Sequence, residues 1–461
     1  MIRFNKEVEV DAGLASGKRG SRAKVSLGQM AGWGVILSSG CLLFFAEGWS
    51  GIVAILGLIA GAWILVDADL FHPLTWFMPI YALYAVSAPL LDLIGFRGLI
   101  QGQTVRILAI QWFAGLGFIM GTGSRRYIIN CYSTSTKDFK IPAYALFFAS
   151  LGFTGLYIIG VLRSGAQSKY DIAQSSDPLL MFFPGFSLLI ISYMILLASK
   201  LSKRRQYVVL VSFVVAWHLL VIFFAGERDL LVRVLWVTVM LWHVWRGPVS
   251  KRWLLLMSVI GIITLPSLNI AKNILLVNKE VKTTTLLSYA PEVLNDEFYT
   301  ASSNLAFLLS IEDSWRPFKY GETLLGDLQR ALIPGTILRW GSNPGSWFNQ
   351  EFFPEVVAKG GGRGFTFVGE GYMNFGVIGA WLWLLLLGLS ARWLYRMSSR
   401  RFIWQIVYIS SMPLFAFVLR SDFSILFAQF SKHLLLPTLF LFFARQILRT
   451  IVVLPATSQH N

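Results

Sequence analysis

Apolar runs of about 18 residues or more, long enough to cross the hydrocarbon core of a bilayer as a helix, recur along most of this 461-residue chain. They predict about twelve spans, at 29–46, 49–66, 71–94, 105–122, 143–162, 179–199, 207–224, 230–245, 253–271, 373–393, 402–419 and 425–448. Pro73, Pro79 and Pro89 interrupt the third run, and Lys432 and His433 interrupt the last, where a missing N–H or a charge is costly in hydrocarbon. Between Lys272 and Gly369 the pattern breaks into mixed polar and aromatic residues. The chain therefore divides into a basic tail (1–28), nine spans (29–271), a large loop (272–369), three further spans (370–453) and a short tail (454–461).

Inside the large loop, 302–311 is apolar enough for a short interfacial helix, and Leu324, Leu325, Leu328, Ala331 and Leu332 give 321–333 helical spacing. Pro334, Gly335, Gly341, Pro344 and Gly345 predict turns. A second short helix is expected over 348–358 with Pro354 near its middle, before the run Gly360, Gly361, Gly362, Arg363, Gly364.

The chain is 55% hydrophobic and 14% charged, which places it among polytopic membrane proteins. Basic residues gather at every second connection: Lys18, Arg19, Arg22 and Lys24; Arg125, Arg126, Lys137 and Lys140; Lys200, Lys203, Arg204 and Arg205; Arg246, Lys251 and Arg252; Arg392, Arg396, Arg400 and Arg401; Arg445 and Arg449. The positive-inside rule then predicts both termini in the cytoplasm and the large loop outside. The net charge of +16 is a topology signal rather than a nucleic-acid footprint, because the large loop itself carries nine Lys/Arg against ten Asp/Glu, a net of −1. Of the two cysteines, Cys41 falls in the first span and Cys131 in an inner connection, so no disulfide staples the loop. No internal repeat of the transporter kind is apparent.

Candidate chemistry collects on the predicted outer face. Arg228, Arg316, Arg330, Arg339, Arg363 and Arg420 come from distant stretches, and guanidinium forks suit a diphosphate at the membrane surface. Gly226, Glu227, Arg228 and Asp229 form a charged turn between apolar spans, with Arg233 one turn on, and Arg420, Ser421 and Asp422 form another. The glycines around Arg363 lack the Lys-Ser/Thr ending of a nucleotide loop and read as a loop closing over substrate or as a linker. The loop contains no His or Cys, which gives metal catalysis little support. Asp67 and Asp69 spell an Asp-x-Asp motif next to His72, but the topology places them inside, and His218 reads as a buried structural histidine.

The order of a charged turn after the seventh span, a long outer loop after the ninth, and Gly369, Glu370, Gly371, Tyr372, Met373, Asn374, Phe375, Gly376 leading to Gly379 resembles the O-antigen or oligosaccharide repeat-unit polymerases of the Wzy type. Leu332, Ile333, Pro334 and Gly335 belong to the same resemblance, and Arg330 with Gly341 meets the Arg-x10-Gly spacing of some members, with no second copy at Arg163 or Arg228. The resemblance implies an all-α, GT-C-like fold of the bacterial inner membrane. It implies a metal-independent glycosyltransferase without cofactor, which moves a growing glycan from undecaprenyl diphosphate to a hydroxyl of an incoming lipid-linked unit. Its partners would be that lipid-linked oligosaccharide, membrane lipid and a chain-length regulator protein, with no nucleic acid. On this reading Glu370, Asp422, Glu227 and Asp229 are the candidate bases, the six outer arginines hold the diphosphate, and Tyr372, Trp340 and Trp347 offer sugar-stacking faces. The alternatives are an O-antigen ligase, whose similar layout uses a loop histidine that this chain lacks, and a lipid-oligosaccharide flippase.

Overall fold

The computed structural model describes residues 26–45, 47–96, 103–127, 136–165, 172, 175–200, 204–225, 228–247, 249–250, 298–332, 343–358 and 362–457. Among them there are helices and turns and no strand. Nine helices of the described residues are long and apolar enough to cross a membrane, and Phe402–Val418 is a shorter apolar helix. The span expected at 230–245 forms the helix Arg228–Trp245, whereas the span expected at 253–271 lies outside the described residues.

The proline-bearing third span is one continuous helix, Pro73–Leu93, because side chains replace the donors that proline lacks. Pro79 leaves the Thr75 carbonyl without its helical N–H, and the Trp63 indole donates to that oxygen at 3.2 Å. Pro89 does the same to Ala85, whose carbonyl accepts from the Ser302 hydroxyl at 3.3 Å. Ser302 belongs to the loop helix Tyr299–Ser310, so the second repair also docks the large loop onto the bundle.

The last span breaks where Lys432 and His433 interrupt it. Phe423–Phe430 leads into a π turn at Ser431–Leu435 before Leu436–Thr457 resumes, and the His433 ring shares a hydrogen bond with the Ser187 hydroxyl. The widened turn accommodates polar side chains inside an apolar helix.

Two helices form the spine of the bundle. Thr104–Thr122 carries Gly117 and Gly121 four residues apart, facing the backbone at Trp381 and Leu385 of Phe367–Ser398. A Cβ on Gly388 would stand 2.5 Å from the Phe118 carbonyl oxygen. Small residues at this spacing let two backbones meet where lipid supplies no hydrophobic drive between helices.

The bundle has two chemically different ends. The loop elements cover one, where Ser302 meets Ala88, Glu312 meets Arg106 and Gly345 meets Asp422. The other holds the Asp67–Arg126 ion pair and the Tyr395 hydroxyl, which donates to Asp69 at 3.4 Å. The Asp-x-Asp turn thus sits at the end away from the large loop.

Candidate functional site

The helix Phe367–Ser398 is two helices joined by a sharp kink at Phe375 (φ −143°, ψ 27°) and Gly376 (φ 62°, ψ −146°). Thr366 caps its start by accepting from the Gly369 N–H at 3.3 Å. The short arm 367–374 folds against the long helix, with Gly371 facing Gly379: a Cβ on Gly371 would stand 2.6 Å from the Gly379 carbonyl oxygen and 2.9 Å from the Ala380 Cα. The tenth span, expected from 373, falls within the helix Phe367–Ser398, whose residues before the kink form an arm that carries side chains into the loop.

Asn374 clips that arm to the loop. Its side-chain amide donates to the Glu370 carbonyl at 2.8 Å and to the Thr323 hydroxyl at 2.7 Å, and its Oδ1 accepts from the Gly321 N–H at 2.8 Å. The loop returns two backbone bonds, Lys319 N–H to the Met373 carbonyl at 3.0 Å and Tyr320 N–H to the Asn374 carbonyl at 3.2 Å.

The arm delivers Glu370 into the interior, where it has no exposed surface. Glu370 accepts from the Thr323 hydroxyl at 3.0 Å and from the Phe423 N–H at 2.8 Å. Asp422 is equally buried. It caps Phe423–Phe430 by accepting from the Ile425 N–H at 3.0 Å, takes the Ser424 hydroxyl at 2.8 Å, and accepts from the Gly345 N–H at 3.0 Å. Asp327, also buried, and Asp422 are the electrostatic neighbours of Glu370. Three carboxyl groups from remote segments thus share one interior region, an arrangement that costs several kcal/mol unless hydrogen bonds offset it.

Beside Asp422 opens a cavity of about 300 Å³, bounded by Pro344–Phe352 and by the turn at 362–365. That turn is clasped in place. Asn349 accepts from the Arg363 N–H at 2.7 Å and donates to the Gly364 carbonyl at 3.1 Å; Asn304 donates to the Arg363 carbonyl at 3.1 Å; and the Phe365 N–H donates to the Arg420 carbonyl at 3.0 Å. The helix expected over 348–358 is split, as Pro354 dictates, into Pro344–Phe352 and Pro354–Ala358.

A second polar cluster lies on the same end. Glu312 takes Arg106 Nη2 at 2.7 Å, Arg316 Nε at 3.1 Å and the Tyr372 hydroxyl at 3.1 Å, and Arg106 also donates to the Tyr372 oxygen at 2.6 Å. Burial pushes the Glu312 carboxyl up, but the hydrogen bonds and charges of Arg106 and Arg316 outweigh it and hold the group below the ordinary carboxylate range. Two guanidinium groups on one carboxylate make a cationic patch that an incoming anion can share.

The expected site residues fall into several places. Arg316 joins the Glu312 cluster. Arg363 and Arg420 lie on either side of the clasp, with their guanidinium carbons 4.5 Å above the Phe353 ring and 4.7 Å above the Phe417 ring. Tyr372 directs its hydroxyl to Glu312, while its ring packs edge-on against Trp315 and Phe318. Trp347 packs edge-on against Phe352. Asp229 pairs with Arg233 at 3.2 Å, and Arg233 reaches Gln429 at 3.5 Å, a separate cluster toward the far end of the helix that Asp422 caps. Arg228 and Arg330 start and near-end described helices whose side chains there are not described, and Glu227, Arg339 and Trp340 lie outside the described residues. Sequence patterning does not single out Arg106, Asp327, Thr323 or Asn349. Arg106 does carry a signal, as a lone cation in the first turn of a span next to an outer connection.

A family model described as O-antigen polysaccharide polymerase Wzy matches residues 36–450. No curated protein and no solved structure matches the chain. The family match spans nearly the whole sequence, and the chain belongs to that family.

Proposed function

We propose that this member of the O-antigen polysaccharide polymerase family joins oligosaccharide repeat units carried on undecaprenyl diphosphate, at the outer face of the bacterial inner membrane and without a metal ion. The observation that carries the reading is the convergence of Glu322–Leu332, the arm 367–374 and the turn at 420–424, which brings Glu370 and Asp422 together, with Asp422 bordering a cavity. This end of the bundle is opposite the one where Arg125, Arg126, Arg392 and Arg396 gather, and the positive-inside rule makes the basic end cytoplasmic. Both termini are then inside and residues 272–369 outside.

The chemistry follows from the groups at hand. A hydroxyl of the incoming unit attacks the anomeric carbon of the growing glycan; its oxygen forms the new glycosidic bond as the anomeric carbon–oxygen bond to the diphosphate breaks with inversion. The leaving diphosphate keeps the electron pair, and the hydroxyl proton passes to a carboxylate. Asp422, which borders the cavity, is the first choice for that base, with Glu370 behind it and Glu227 and Asp229 as the other carboxylates of this face. Arg316, Arg363 and Arg420, with Arg106, supply cationic stabilisation to the departing diphosphate, and Arg228, Arg330 and Arg339 complete the set proposed for the carrier. Trp340 and Trp347 are proposed sugar contacts, and a chain-length regulator is the proposed protein partner.

Purified protein in detergent, given a defined lipid-linked repeat unit, tests this. A ladder of products that persists in chelator is expected. Single-repeat product only would remove the polymerase mechanism, and a ladder abolished by chelator would replace the metal-free one.

A further inference from the structure

The carbohydrate and the diphosphate ask for opposite surroundings, and the structure provides two. The cavity beside Asp422 is walled by Asn343, Ser346, Asn349, Gln350 and the buried Asp422 carboxylate together with the apolar Val357, Phe365 and Ile425, and no Lys or Arg is among the described residues that line it. Its volume of about 300 Å³ is at the small end of ligand pockets. A diphosphate placed there would meet a buried carboxylate with no countercharge in the wall. A sugar would instead exchange hydrogen bonds with Ser346 and Gln350, the exposed polar side chains of the wall, above the buried Asp422 carboxylate. The cations stand outside: Arg363 and Arg420 reach over Phe353 and Phe417, and Arg106 and Arg316 gather at Glu312.

We infer that this cavity is the acceptor-sugar subsite, which takes a neutral, hydroxyl-rich ring of the incoming repeat unit and leaves the carrier's diphosphate to the arginines around it. The inference rests on the polymerase reading and adds to it which partner of the reaction Asp422 faces. Asn349 is committed to the clasp through Gly345, Arg363 and Gly364, so the wall is rigid before the ligand arrives. Gly345 is required there: a Cβ would stand 2.7 Å from Asp422 Oδ2. Ser346 and Gln350 are exposed at the cavity and lie within reach of a ligand.

The test uses an acceptor analogue, the repeat-unit oligosaccharide on a short alkyl chain without diphosphate, together with the lipid-linked donor. Ser346→Trp fills the cavity from an exposed position, and Gln350→Ala removes one amide. Ser346→Trp is expected to raise the acceptor KM by about tenfold or more, the equivalent of ~1.4 kcal/mol, with the donor KM unchanged; Gln350→Ala shifts the acceptor KM in the same direction by less. An unchanged acceptor KM in folded Ser346→Trp, or a rise in the donor KM instead, overturns the assignment. Saturation-transfer NMR with the lipid-free saccharide reads the cavity without turnover. Signal with wild type that is lost in Ser346→Trp supports the subsite, whereas equal signal in both, or displacement by inorganic pyrophosphate, refutes it. Wild-type protein that binds the saccharide but never forms polymer would sink the polymerase reading and leave the subsite standing.

Discussion

Replacing Gly371 with alanine separates the folded arm from an ordinary helix. In an unobstructed helix Gly→Ala stabilises by about 0.5–1 kcal/mol, since alanine loses less backbone freedom. At Gly371 the new methyl would stand 2.6 Å from the Gly379 carbonyl oxygen and 2.9 Å from the Ala380 Cα, and both are backbone atoms that no rotamer change can move. Overpacking of this kind costs about 1–3 kcal/mol, so the expected net effect is a destabilisation of about 1–2 kcal/mol, concentrated where the arm leaves the long helix. Gly152, on the helix Thr136–Ser164, faces open space with nothing within 4 Å of where a methyl would stand; it serves as the control and should gain slightly. A global melting temperature would register this weakly, about 1 °C per kcal/mol for a chain of this size unfolding as one unit. The sensitive readout is glycan chain length in cells carrying Gly371→Ala as their sole copy, because the arm holds Glu370. Shortened chains with a near-normal amount of folded protein are expected. Wild-type chain length in Gly371→Ala, with Gly152→Ala indistinguishable from it, would refute the folded arm.

Glu312→Gln should loosen the loop only where the carboxylate is ionised. The folded-state pKa is depressed, so the ion pairs contribute stability above the ordinary carboxylate range that is lost as pH falls through the folded value. Hydrogen exchange over 310–320 should therefore rise in the variant at pH 7 and converge with wild type in acid; an equal difference at both pH values would count against the assignment. In Arg106 one nitrogen, Nη2, donates to both Glu312 and Tyr372, and the shorter side chain of Arg106→Lys keeps the charge but falls short of that position. A fall in polymerisation rate of about tenfold is expected, the scale of one charged hydrogen bond, with Arg106→Ala lower still, and full rate in both would exclude Arg106 from the site. Asp67→Asn removes an exposed pair with Arg126 at the far end, worth about 0–1 kcal/mol; chain length should not change, and its loss would revive a role for the Asp-x-Asp turn.

The helical architecture is legible in the sequence because lipid enforces it: backbone donors and acceptors in hydrocarbon must be satisfied within the helix, so apolar length translates directly into elements. What hydropathy misses are repairs made by side chains far away. Pro79 and Pro89 read as interruptions, yet Trp63 and Ser302 close the gaps they leave. The arm at 367–374 is hidden for a related reason, since the fold-back shows only in the backbone at Phe375 and Gly376 and in Gly371 meeting Gly379. Among the site residues, Glu370 and Asp422 can be selected as carboxylates of one predicted face, but their convergence depends on Thr323 and Gly345 from the loop. Arginine as a class says less about the site than its numbers suggest. Arg316, Arg363 and Arg420 sit at different points around the loop, while Arg106, at a span terminus, supplies a contact that counting loop cations does not find.

The most direct measurement compares wild type with Asp422→Asn in the reconstituted reaction, using one lipid-linked repeat unit and protein verified as folded by its melting profile. A base at the cavity requires the variant to lose about 10²- to 10⁴-fold in rate while it still binds the lipid-free saccharide. Folded Asp422→Asn that builds the polymer at the wild-type rate would contradict the account.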